Sequence, residues 1–222
     1  MQGMKTYSEQ VAAYIRQALL DGALKAGEKV NEAHLAKALS ISRAPVREAL
    51  QLLVNDGLIV SIPQKGKFIK ALSAKEIRDG YAVGGVLEGA AIAENCEAFS
   101  DGDFRRLEEM LDEMTGLDER AGDYAEKFAH LDVAFHELLL KQADNKLMVA
   151  HARSVCQRMS KFLLFRHWPH AFSHSEIVER HKKVLKAVRS RSREQIERAI
   201  RIHYYELGDR MARFGHDRPE GM

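Results

Sequence analysis

The chain has 222 residues, with 34 Lys and Arg against 32 Asp and Glu for a net charge of +2, and its 45% hydrophobic content supports a sizeable core in one or two domains. No apolar run reaches the ~18 residues of a membrane span. Residues 1–10 lack a secretory leader's apolar stretch, and two Cys make no disulfide framework, so a reducing cytoplasm is the expected compartment. Fifteen Gly and four Pro exclude fibrous and disordered classes. The charge is uneven. Residues 1–73 hold ten basic and six acidic side chains, whereas the remainder holds 24 and 26 together with nine of the ten His. This asymmetry divides the chain into a basic domain 1–73, which is the candidate for nucleic acid, a domain 74–214 and a polar tail 215–222.

In chain order, helices are expected over 7–21, 32–39, 43–55, 74–98, 101–120, 124–143, 146–166, 174–190 and 193–214. Their starts are marked by capping-box spacings at Thr6/Glu9, Ser73/Glu76, Asp123/Glu126, Ser173/Glu176 and Ser192/Gln195. Ser100/Asp103 is a weaker version, and Asn31 and Asn145 read as simple N-caps. Gly22 and Gly57 suit C-terminal stops. Strand signals occur only in the first domain, where Leu58–Ile62 and Phe68–Leu72 flank a basic tip, Pro63-Gln64-Lys65-Gly66-Lys67.

Helices 32–39 and 43–55 are separated as in a helix-turn-helix. Val46, Ala49, Leu50, Leu53 and Val54 form the apolar stripe of the second. Arg43, Arg47 and Gln51 lie opposite, at steps of four. Ser42 can cap this helix and Pro45 falls in its first turn. Two Arg at a helix N-terminus suit phosphates and guanine edges, and Lys65, Gly66 and Lys67 form a wing that can follow the adjacent minor groove. Each Arg alone is readable as a solvated charge. The order of helix, helix, turn, helix and basic hairpin is what points to DNA.

Ala23-Leu24-Lys25-Ala26-Gly27-Glu28, Asn31-Glu32-Ala33-His34-Leu35-Ala36, Ser42-Arg43-Ala44-Pro45-Val46-Arg47-Glu48-Ala49-Leu50 and Asp56-Gly57-Leu58-Ile59 resemble the winged-helix domain of GntR-family transcription regulators over residues 7–72. The resemblance implies DNA contacts from Ser42, Arg43, Pro45, Arg47 and Gly66. Ala26 stands where the family usually has Pro, and Ala33 where some members have a DNA-contacting Arg.

In the second domain, Phe128, Asp132, Phe135, His136 and Leu139 share one helix face. Ile177, His181, Val184, Leu185 and Val188 share another, and Ile196, Ile200, His203 and Leu207 a third. One Asp and three His therefore fall on core faces of three helices. Asp132 and His136, at i and i+4, can share an ion or simply hydrogen-bond. On pattern alone, a metal site and a satisfied polar core are both open.

Leu87-Glu88-Gly89-Ala90-Ala91-Ile92-Ala93, Asp132-Val133-Ala134-Phe135-His136, Asn145-Lys146-Leu147, His181 with Ala187, and His203 are similar to the FCD ligand-binding domain of FadR-like GntR regulators over residues 75–214. The resemblance implies an all-helical bundle in which Asp132, His136, His181 and His203 bind one divalent ion, beside which many members hold a small carboxylate effector. Zinc is the first choice for the ion, with nickel, iron or manganese as alternatives. Gly84 stands where members often have Arg. Gly84, Gly85 and Gly89 within one helix imply either a close backbone approach or a kink. Cys96 and Cys156 read as buried small side chains, and Trp168 as a loop anchor that could line a pocket mouth.

The expected fold is mainly α: a winged helix-turn-helix with a small β-hairpin, followed by a helical bundle. The expected function is that of a ligand-responsive transcription regulator, not an enzyme. It acts as a homodimer on a near-palindromic operator, because one short recognition helix reads too few base pairs alone. A metal-dependent enzyme and a purely structural metal site are the alternatives.

Overall fold

The computed structural model describes residues 6–158 and 162–216. In the first domain α1 (Tyr7–Leu20) precedes β1 (Lys29–Val30), α2 (Glu32–Ala38), α3 (Arg43–Asn55), β2 (Ile59–Ile62) and β3 (Gly66–Ile69). The Thr6/Glu9 capping box forms at α1, and Asn31 accepts the amides of Ala33 and His34 at α2. Gly22 and Gly57 take φ of +72° and +70° after α1 and α3, as expected of helix stops. The sheet is antiparallel in the order β1-β3-β2. β1 was not expected, since two residues are too short for a periodic signal. β3 begins two residues earlier than the expected 68–72, because the turn closes through Gln64 at φ +62° and pairs Ile62 with Gly66. Ile15, Val46, Leu50, Leu53, Leu58 and Ile69 fill this domain's core.

The second domain runs through α4 (Ala74–Glu94), α5 (Asp101–Thr115), α6 (Tyr124–Leu140), α7 (Lys146–Arg158), α8 (His174–Arg189) and α9 (Arg193–Met211). Ser73/Glu76, Ser100/Asp103 and Ser173/Glu176 form reciprocal capping boxes, and Asn145 accepts the amide of Met148. Asp123 does not cap α6; its carboxylate pairs with Lys127 at 2.9 Å instead. Ser192 accepts the Gln195 amide at 3.4 Å. Several helices stop short of expectation. α4 ends at Glu94 before a 3-10 turn over Cys96–Ala98, α5 ends at Thr115, and α6 ends at Leu140. The expected 146–166 helix is described as far as Arg158; residues 159–161 lie outside the described residues, and a 3-10 turn covers Phe165–His170. Residues Ile77, Ile92, Leu107, Met114, Phe135, Leu139 and Ile200 anchor one contiguous core. Cys96 is buried within it; the side chain of Cys156 lies outside the described residues, as do residues 217–222 of the tail. No helix among the described residues is long and apolar enough to cross a membrane.

Gly85 and Gly89 of α4 serve close approach. A Cβ on Gly85 would lie 2.8 Å from Cβ of Tyr204, and one on Gly89 would lie 3.3 Å from Cα of Glu197, so α4 and α9 pack nearly backbone to backbone. The segment between α7 and α8 joins the two domains. Phe162 and Leu163 pack on the first core, and Arg166 Nη1 donates to the Asp21 carbonyl at the end of α1 over 2.8 Å. The His216 amide donates to the Leu72 carbonyl at 2.8 Å.

Candidate functional site

α6, α8 and α9 bring together three of the four expected ligands. Ligating atoms of His136, His181 and His203 lie within 4.8 Å of one another. Asp132 stays outside that group, but its Oδ1 is 3.0 Å from His181 Nε2. His181 Nδ1 lies 2.8 Å from the Ile177 carbonyl, which can only accept, so this nitrogen carries the proton. In the neutral ring Nε2 then presents a lone pair to a carboxylate oxygen. The contact is favourable only with a proton or a cation between them.

His203 is 5% exposed, and its Nδ1 has no hydrogen-bond partner among the described residues. Burial, and then the positive charges of Arg180, His181 and His136, push its pKa well below the ordinary range, so the ring is neutral. A buried, neutral imidazole with an unpartnered ring nitrogen can offer that nitrogen's lone pair to a cation in the tautomer that carries its proton on Nε2. Burial opposes protonation of His136. Glu88, by charge and hydrogen bond, and Asp132 outweigh it and raise the ring to about 9. Burial likewise opposes ionisation of Asp132. The hydrogen bond from His181 and the nearby charges of His136, His181 and Arg180 prevail, holding its carboxyl below the usual range.

Glu88 is a further site residue, one that the His and Asp pattern does not include. It is 3% exposed on α4, its Oε1 lies 2.5 Å from His136 Nδ1, and its Oε2 accepts from the Tyr204 hydroxyl at 2.7 Å. Glu88 orients His136 through Nδ1 and leaves Nε2 for the site, as carboxylates do behind metal-bound histidines. Its signal was available: Tyr81, Glu88, Ala91 and Ile92 fall on one buried stripe, and a carboxylate there needs a partner. Arg180, also buried and also outside that pattern, donates from Nη2 to the His203 carbonyl and from Nε to Glu206 at 3.1 Å.

The site opens into a cavity of about 410 Å³. It is lined by Asp132, His136, His203, Glu88 and Tyr204, by Val133, Leu207 and Trp168, and by Gln17 and Leu20 of α1 with its C-cap Asp21. The DNA-binding domain is therefore part of the cavity wall.

On the first domain, Arg43, Arg47 and Gln51 lie exposed along α3, opposite the buried Val46, Ala49, Leu50 and Leu53. Ser42 occupies the N-cap with extended φ and ψ, but its side chain makes no cap hydrogen bond. The first-turn amides beside Pro45 are thus left to an outside acceptor such as a phosphate. Arg47 Nε is 3.5 Å from Glu32. Lys67 turns back onto Glu32 at 3.2 Å and is only 16% exposed, while Lys65 and Gly66 form the exposed wing tip.

Residues 7–69 match the family model described as bacterial regulatory proteins, gntR family, and residues 79–206 match the FCD domain. The chain belongs to this family. It is a GntR-family DNA-binding transcriptional regulator with an FCD effector-binding domain. The Nta operon transcriptional regulator of Aminobacter aminovorans is 28% identical over 185 residues, covering 83% of this chain and 85% of that protein. The HTH-type transcriptional repressor RspR of Escherichia coli is 24% identical over 205 residues, covering 91% and 87%. Among solved structures, E. coli McbR/YncC has a TM-score of 0.68 at 21% identity, covering 90% of this chain and 94% of that one. A GntR regulator from Rhodococcus also reaches 0.68, at 21% identity, covering 93% and 98%. The relatives are transcription regulators, so the enzyme alternative falls.

Proposed function

We propose that the GntR–FCD regulator is a homodimeric, effector-responsive switch. In this reading His136, His181 and His203, with Asp132, hold one divalent ion, and a small carboxylate effector binds beside it in the cavity. The observation that carries the reading is the shared cavity: it is lined by two of the three clustered imidazoles, His136 and His203, with Asp132, and also by Gln17 and Leu20 of α1 in the DNA-binding domain. A ligand there has differential contacts with different domain placements, which is the requirement for shifting an equilibrium between them.

The donor set suits zinc, nickel, iron or manganese. When bound, the ion supplies a positive centre for the effector's carboxylate. Glu88 and the Ile177 carbonyl orient His136 and His181 for it, and the neutral His203 offers its unpartnered Nδ1. The residues that would contact DNA are Ser42, Arg43, Pro45, Arg47, Lys65 and Gly66, with Lys67 engaged by Glu32 until DNA competes for it. A second copy suits the exposed Val83 and Val86 of α4 and Ile202 and Tyr205 of α9, on helices that pack together.

Calorimetric titration of metal-stripped protein with zinc, nickel and manganese tests the site. One ion per chain is expected for the wild type and loss of uptake for His181→Ala, with non-specific DNA binding retained in both. No uptake of any of the three ions by the wild type would reduce the cluster to a hydrogen-bonded polar core.

A further inference from the structure

A second cleft, between α8 and α9, is strongly basic. Arg180, Lys183 and Lys186 follow one another at steps of three along α8, and Gln195, Arg198, Ile202 and Glu206 at steps of three and four along α9. Each helix therefore turns one face to a shared cleft of about 300 Å³, in which Ala187 and Ala199 add no bulk. Four of the lining side chains are Lys or Arg and one, Glu206, is acidic. Lys183, Lys186 and Arg198 make no ion pair with any described residue. Arg180 is held rigidly. It is 8% exposed, its Cζ lies 4.1 Å from the centroid of the Phe172 ring, its Nε is spent on Glu206 and its Nη2 on the His203 carbonyl. Its Nη1 has no hydrogen bond among the described residues. A buried guanidinium fixed by three contacts, with one donor nitrogen left over, is pre-organised for an acceptor from outside the chain.

We infer that this cleft is an anion site that takes a phosphoryl group, as free phosphate or as the phosphate of a small monoester, and gives the helical domain a second ligand. A tetrahedral dianion has acceptor oxygens enough for Arg180 Nη1, Arg198 and the two lysines together, whereas a monocarboxylate satisfies fewer of them. A DNA duplex would meet the exposed Lys183, Lys186 and Arg198 but not a guanidinium as buried as Arg180, so the small anion fits the donor set better. Among their lining residues the two cavities share His203 alone, so the anion site stands whether or not the imidazole cluster holds an ion. Ile202 also lines the cleft, which places the site at the border of the face offered to a second copy.

The test is calorimetry of the full-length protein in metal-free buffer at fixed ionic strength, with inorganic phosphate, glycerol 3-phosphate and acetate as probes. One phosphate or one glycerol 3-phosphate per chain should bind saturably, and the tighter of the two identifies the source of the phosphoryl group. Acetate should bind about tenfold more weakly. The Lys183→Gln, Arg198→Gln double variant removes two exposed cations, each worth about two- to fivefold, and should lose about tenfold in phosphate affinity. Its thermal transition confirms a folded protein. Arg43→Ala should bind phosphate as the wild type does, because that guanidinium belongs to the DNA-binding face. Absence of saturable binding to the wild type overturns the inference, as does acetate binding equal to phosphate, full affinity in the double variant, or loss of binding in Arg43→Ala. A double variant that loses as much affinity for a non-specific DNA duplex as for phosphate would assign the face to DNA and overturn the small-anion site as well.

Discussion

Replacing Gly85 by Ala should destabilise the helical domain even though Ala is the better helix former. In the interior of α4 the exchange gains about 1 kcal/mol of helix propensity. Against it, the new Cβ falls 2.8 Å from Cβ of Tyr204, under the 3.0 Å that real Cβ contacts essentially never cross, and 3.4 Å from Cα of Arg201. Both neighbours are fixed to the α9 backbone, so no rotamer change relieves the overlap and the helix itself must move. Overpacking of this kind costs about 1–3 kcal/mol. The displacement also strains the 2.7 Å bond from the Tyr204 hydroxyl to Glu88, and a buried hydrogen bond contributes about 1 kcal/mol. The net expectation is a loss of about 1–3 kcal/mol, or about 2–12 °C in the transition of the helical domain. Gly102→Ala is the control: its Cβ meets only Ser100 Oγ at 3.5 Å, an ordinary contact, so that variant should be neutral or slightly stabilised. Urea unfolding followed by far-ultraviolet circular dichroism, at one protein concentration because a dimer's stability depends on it, measures both. A Gly85→Ala protein at least as stable as the wild type would refute the argument that α4 and α9 need a bare backbone contact.

Arg43→Ala should weaken operator binding by about 1–3 kcal/mol and relax base preference, and Arg47→Ala should cost less because Glu32 already occupies part of that guanidinium; operator titrations at fixed salt that show no change in either variant would remove both from the interface. Asp103 is held down to about 2 chiefly by hydrogen bonds from the Ser100 side chain and backbone, with Lys141 assisting. A carboxylate whose folded pKa is depressed stabilises above its unfolded value of 3.8, and that contribution disappears as pH falls to about 2. The stability advantage of wild type over Asp103→Asn should therefore be full above about pH 4 and close to nothing at pH 2; an advantage independent of pH would contradict the assignment. Val86→Asp should shift the protein toward monomer in sedimentation, and an unchanged dimer would place the interface on another face.

Local features of this chain were legible because local rules cause them. A capping box needs a hydroxyl or carboxylate three residues from its partner, and Thr6, Ser73, Ser100 and Ser173 all form theirs. Helical periodicity likewise placed His136, His181 and His203 on inward faces, and α3's apolar stripe against the first core, because burial at i, i+3 and i+4 is a property of one helix alone. Other features were beyond local reading. β1 is a strand only because β3 lies beside it. The sequence pattern left Gly85 and Gly89 ambiguous between a kink and a close contact; only the position of α9 decides for contact. Glu88 acquires its role from a histidine 48 residues away and a tyrosine 116 residues away. The lining of one cavity takes Asp21 from the first domain and Glu126 from the second. Sequence spacing encodes which face a side chain occupies. Which side chains from other helices meet it there is decided by the packing of the whole chain, where burial makes each unpaired charge or lone pair costly enough to select its partner.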